Sequence, residues 1–166
     1  MSSSRHRLLG LPVLAVLIAA AGCSPSDDDA TAAVPSPDSA VTAMCRNLDG
    51  ALPRKLDGLD RRDPRPASAL TAGWGSPVII LRCGVLRPPK MIDPKVAEGS
   101  DPDAVAGGVN GVDWLMEKQD GGAYRFTTAN RKAYVEVSVG KGRDSSAVLV
   151  GLAQAVKKAI PEGIAD

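Results

Sequence analysis

The sequence predicts an α+β domain, an antiparallel sheet of about four strands with an N-terminal and a C-terminal helix packed on one face. Three observations predict it. Apolar residues recur at helical spacing through Val41, Met44, Cys45, Leu48 and Leu52, and again through Val148, Leu149, Leu152, Ala155, Val156, Ala159 and Ile160. Between these stripes lie a β-branched run, Val78 to Val85, and three further strand-like segments near 109–117, 122–128 and 133–139. Helices kept at the two ends of a run of strands favour a layer of helices over one sheet face.

The chain opens on a different signal. Arg5 and Arg7 precede a thirteen-residue apolar run, Leu8 to Ala20, and Ala20-Ala21-Gly22 places small residues before Cys23. A charged start, a short apolar stretch and a small-residue cleavage site describe an export signal, too short to remain as a membrane-spanning helix. The cysteine at the cleavage point resembles a bacterial lipobox, with Ala20 where leucine is usual. Residues 1–22 are therefore expected to be a lipoprotein signal peptide. Cys23 is expected to carry a diacylglyceryl anchor holding the chain at the extracytoplasmic face of the cell membrane. Residues 23–37, rich in Ser, Asp, Ala and Pro, read as a flexible tether, and residues 38–166 as a single domain. Asp27, Asp28 and Asp29 lack the turn glycine and distal glutamate of an EF-hand and read as a charged spacer.

Within the domain, Ser36 is expected to cap the first helix with Pro37 at its first position, and Pro53 ends it. Residues 54–77 are polar and rich in Pro and Gly, a long loop containing Trp74-Gly75. In the strand that follows, Ile79, Leu81, Cys83 and Val85 share one face, and the alternate positions include Arg82. Residues 86–108 read as irregular, Asn110-Gly111 as a turn or bulge, and 128–132 as a hairpin loop. Gly140-Lys141-Gly142 lacks the third glycine of a dinucleotide loop and reads as a strand-to-helix turn. Asp144 or Ser145 caps the final helix and Pro161 closes it.

The precursor has 20 Lys+Arg against 19 Asp+Glu, and loss of Arg5 and Arg7 with the signal leaves 18 against 19. Near-neutral charge and only five aromatic side chains give no case for nucleic acid. The sole histidine, His6, leaves with the signal, and Cys45 and Cys83 alone do not make a zinc site. An even pair of thiols in an exported chain favours a Cys45–Cys83 disulfide. Both sit on apolar faces, one on the first helix and one on the strand, so the two periodicities turn them toward one interface. No metal or cofactor is expected.

The sheet face away from the helices is expected to carry Arg82, Asp113, Leu115, Glu117, Arg125, Thr127, Tyr134, Glu136 and Ser138. An ion pair from Arg82 to Asp113 or Glu136 is expected there. With Trp74 and Arg131, the charged residues Arg82, Asp113, Glu117 and Glu136 form a candidate binding face for an envelope protein or a cell-wall component. The competing reading makes Trp74 a hydrophobic plug at the sheet edge and the charges a salt-bridged surface. A second functional class, a small carboxylate-based hydrolase or cell-wall-modifying enzyme, would use Asp113 and Glu117.

Several segments carry a resemblance. Cys45 before Leu52-Pro53, Arg61-Arg62, Trp74-Gly75-Ser76-Pro77, Ile80-Leu81-Arg82-Cys83-Gly84-Val85, Asn110-Gly111-Val112-Asp113-Trp114, and Phe126-Thr127-Thr128 with Arg131 stand in this order. The pattern resembles an uncharacterised family of actinobacterial lipoproteins, domain-of-unknown-function family 3515. The resemblance spans nearly the whole mature domain. It implies a one-domain envelope protein and supplies no activity, ligand or catalytic residue.

Overall fold

A computed structural model of the chain describes residues 30–76 and 78–165. The expected export signal, Cys23 and the first part of the expected tether lie outside the described residues, as do Pro77 and Asp166. The elements in order are α1 (Ser39–Ala51), β1 (Lys55–Leu56), β2 (Leu59–Asp60), β3 (Thr71–Trp74), β4 (Ile79–Cys83), α2 (Pro94–Ala97), β5 (Ala104–Val109), β6 (Val112–Lys118), β7 (Tyr124–Ala129), β8 (Val135–Val139) and α3 (Ser145–Ala159). A 3-10 turn, Pro89–Ile92, precedes α2. β1 and β2 form a small hairpin, and the others one antiparallel sheet in the order β3-β4-β8-β7-β6-β5.

The α+β class is as expected, but the main sheet has six strands where about four were expected. The four expected segments are β4, β6, β7 and β8, and they form the centre. The additional two, β3 and β5, are the outer strands. Their sequences, TAGW and AVAGGV, consist largely of Ala and Gly, which have poor strand propensity. Backbone pairing to a β-branched neighbour makes them strands. Asn110 and Gly111 supply the turn between β5 and β6 with φ of 49° and 79°. Two successive left-handed residues are what a two-residue hairpin loop requires.

The first helix starts two residues later than expected. Asp38, not Ser36, is its cap, accepting from the backbone N–H groups of Ala40 and Val41 at 2.7 and 2.9 Å. Pro37 is engaged elsewhere: its ring lies 2.6 Å from where a Cβ on Gly84 would stand, so only glycine allows this approach. Gly84 also holds φ at +84°, which glycine adopts without strain. Asp144 caps α3 through Ser146 and Ala147.

α1 and α3 pack on one sheet face and against each other. The core between them contains Leu48, Ile79, Leu81, Trp114, Phe126, Val135, Val137, Val139 and the apolar stripe of α3. Cys45 and Cys83 are disulfide-bonded in this interface with Cα atoms 5.5 Å apart, joining α1 to β4. The other sheet face, expected to be open, is covered at its β5–β6 side. There Val96 of α2 and Met91 pack on Ala104 and Leu115.

Residues 30–37, which composition places in the tether, begin against the domain. Ala32 N–H donates to Arg65 O at 3.0 Å, and Arg65 N–H donates to Ala30 O at 2.7 Å. Among the described residues no helix is long and apolar enough to cross a membrane.

Candidate functional site

Strand alternation puts Arg82, Glu136, Arg125 and Glu117 on the sheet face away from α1 and α3, one each on the adjacent strands β4, β8, β7 and β6. Arg82 and Glu136 are register partners, with Nη1 donating to Oε1 at 3.2 Å. Arg125 and Glu117 are also register partners, and the guanidinium grips the carboxylate with two bonds, Nε to Oε2 at 3.1 Å and Nη2 to Oε1 at 2.9 Å. The hydrogen bonds to Glu117 raise the Arg125 guanidinium above its ordinary pKa; burial opposes the rise, and the charges of Glu117 and Glu136 add to it. The result is a ladder of alternating sign, + − + −, across four strands. Thr127, opposite Glu136, is buried beneath it.

The other candidate residues do not join the ladder. Asp113 lies on β6, three strand spacings from Arg82, or on the order of 14 Å. It accepts instead from Asn130 Nδ2 at 3.0 Å, so Arg82 pairs with Glu136 and not with Asp113. Trp74 is fully buried on the opposite face of the sheet, its indole N–H donating to Pro53 O at 3.0 Å. It closes the β3 side of the core and is not part of an accessible binding face, because β3 turns it toward α1 and away from the ladder. Arg131 is buried in the β7–β8 connection, donating to Ile160 O at 3.2 Å and Gly111 O at 2.9 Å, with Glu162 at 3.6 Å. It fastens the β5–β6 turn to the end of α3. Trp74 is closed off, whereas Arg131, though 4 % exposed, lines a cavity of about 390 Å³ with Asp113, Asn130 and Glu162.

Asp113 and Glu117 occupy one strand four positions apart, which places them roughly 13 Å from one another. Paired-carboxylate hydrolases hold their acids within about 5–9.5 Å. Among the described residues no group of three or more His, Cys, Asp or Glu stands together to hold a metal.

Beside a cavity of about 390 Å³ at Asp113 and Arg131 and an open one of about 980 Å³ between residues 31–33 and 63–67, two accessible features were not expected from the sequence. One is a groove of about 790 Å³ lined by Pro35, Arg82, Leu86, Arg87 and Tyr134, which adjoins a smaller cavity of about 280 Å³. Arg87, Tyr134 and Ala165 line both. The other is the outer edge of β5. Among the described residues its only strand partner is β6, and Val105, Ala106, Gly107 and Gly108 are exposed. The opposite edge, β3, is covered: Arg62 N–H donates to Gly73 O at 2.8 Å and Gly75 N–H to Asp60 O at 3.0 Å.

No curated protein and no solved structure matches the chain. The family described as "Protein of unknown function (DUF3515)" matches residues 8–165. That match takes in every helix and strand of the fold, and the chain belongs to this family.

Proposed function

We propose that the chain is a lipid-anchored extracytoplasmic interaction domain, without catalytic activity of its own, that binds an envelope protein by strand addition at β5. The observation that carries this reading is the bare β5 edge. Four exposed residues, Val105–Gly108, present it without a proline or a charged side chain. Proteins ordinarily guard such edges with charges, prolines, bulges or a covering segment, because unpaired N–H and C=O groups template another strand. Strand addition uses main-chain hydrogen bonds, so it selects a polypeptide over a wall glycan.

The rest of the molecule supports the same reading. The charged ladder is internally paired, which suits a structural surface better than a charged docking site. The separation of Asp113 and Glu117 weighs against the carboxylate-hydrolase alternative. The disulfide suits an oxidising compartment, and the layout ending at Cys23 suits a lipid anchor.

The test is a photo-crosslinking residue placed at Ala106 in cells, with Gln154 on the exposed face of α3 as control. A discrete adduct is expected from 106 alone. It should disappear when Gly107→Lys is added, a change whose Cβ meets nothing within 4 Å and which puts a charge on the edge. An adduct that survives Gly107→Lys, or that forms equally from 154, rejects β5 as the site. For the anchor, Cys23→Ser should release the protein from the membrane fraction, and unchanged retention rejects lipidation.

A further inference from the structure

We infer that the end of the domain where residues 30–38 enter is a membrane-contact surface, seated on the leaflet that holds the chain's own anchor. The inference rests on the lipid-anchor reading of Cys23 and extends it from a point of attachment to a docked orientation.

The first support is where exposed aliphatic side chains fall. Leu86 is 91 % exposed, Ile164 83 % and Ile92 65 %, the three highest values among the exposed large hydrophobic residues. All three line the continuous groove around Arg87 and Tyr134. Val34 precedes Pro35 of the same groove wall and is exposed as well. A single exposed aliphatic residue is unremarkable, but several converging from separate segments mark a contact surface. Here they come from the entering chain, the segment after β4, the 3-10 turn and the residues beyond α3.

The second support is the length of chain before the domain. Seven residue steps separate Cys23 from Ala30, a reach of at most about 25 Å even fully extended. Ala30 is held by Arg65, and five residues further on the entering chain reaches the groove, where Pro35, Ser36, Pro37 and Asp38 form the wall together with Leu86 and Arg87. The anchor therefore leads into the apolar end of the domain, and the membrane is the apolar phase within its reach. So short a tether keeps the effective concentration of lipid high, and individually weak contacts suffice.

The charges fit a lipid headgroup layer. Arg87 is exposed in the groove wall, and Lys132 is exposed beside Gly163. The acids at this end have partners of their own: Asp38 caps α1, Glu162 faces Arg131, Asp93 caps α2 with Lys90 at 3.6 Å, and Asp113 accepts from Asn130.

The experiment uses the lipidated mature protein in vesicles of phosphatidylcholine and phosphatidylglycerol. An environment-sensitive fluorophore is attached through Leu86→Cys, Ile92→Cys or Ile164→Cys, with Val105→Cys and Val150→Cys as controls. Spin-labelled lipid is expected to quench the probe at 86, 92 and 164 at least threefold more than at 105 and 150. All five sites are exposed, and an unchanged melting curve certifies the fold of each labelled protein. Protein retained on vesicles with equal quenching at all five sites, or none, overturns the docked orientation and leaves the anchor standing. Protein that fails to stay with the vesicles overturns the anchor, and the docking falls with it.

Discussion

Arg82 and Glu136 face each other across β4 and β8, at directly opposed positions, with 3.2 Å between Nη1 and Oε1. The carboxylate is the more enclosed of the two, with its side chain 13 % exposed against 32 % for arginine. Removing the arginine strips Glu136 of that partner while Arg125 continues to act on it. Arg82→Ala is expected to lower stability by roughly 1–2 kcal/mol, beyond the ~0.5 kcal/mol of an ordinary surface change. Urea unfolding reads this, and Glu136→Gln in a double-mutant cycle should show coupling. A variant with unaltered stability would leave the ion pair without structural weight.

Trp74 separates packing from hydrogen bonding. Trp74→Phe retains most of the buried ring but leaves the Pro53 carbonyl without its donor, an expected loss of about 1–2 kcal/mol. Trp74→Ala also opens a cavity under β3 and should cost about 3–5 kcal/mol. Equal losses from the two variants would contradict the core position.

Arg131→Met should destabilise the domain by about 2–3 kcal/mol, because the carbonyls of Ile160 and Gly111 both lose a charged donor. Amide hydrogen exchange should quicken in the β5–β6 turn and at the end of α3, two places far apart in sequence. Faster exchange confined to the β7–β8 loop would argue against the clamp.

Opening the Cys45–Cys83 bond releases a loop of 38 residues, and the chain-entropy relation gives an expected loss of roughly 4 kcal/mol. Urea midpoints of oxidised and reduced protein measure it, with the Cys45→Ala, Cys83→Ala double variant as a check.

The segment covering the second sheet face should be acid-sensitive. Lys90 hydrogen-bonds to Asp101 and holds that carboxyl below the ordinary carboxylate range, with help from the Asp103 backbone N–H. A depressed carboxyl contributes stability that is present above its unfolded value, about 3.9, and lost as pH falls through the lower folded value. Thermal melts between pH 6 and 2 should show this loss, and Asp101→Asn should reduce it.

Much of the architecture was legible because side-chain periodicity recorded it. The α3 stripe from Val148 to Ile160 is buried as its spacing implied, and alternation put Arg82, Glu117 and Glu136 on one face. The outer strands were not legible, since TAGW and AVAGGV hold their places by backbone pairing that composition does not record. Missing β3 also hid the side to which Trp74 turns. Asp57-Gly58, with φ of 48° and 77°, did carry a turn signal, but its two-residue flanks were too short to stand out as strands. Arg131 left no local pattern, because its acceptors, Gly111 and Ile160, come from distant segments.

The link between α1 and β4 also fixes a path for mechanical force. Tension between an N-terminal attachment and anything bound beyond Cys83 crosses from Cys45 to Cys83 through one covalent bridge, into the second strand of the sheet. Residues 46–82, with β1, β2, β3 and Trp74, lie in the loop that the bridge closes, and once the contacts of Ala30 and Ala32 with Arg65 give way no covalent path of load runs through them. A pulled domain would therefore lengthen before Cys45 and beyond Cys83, and reducing the bridge would add those 37 residues to its extension.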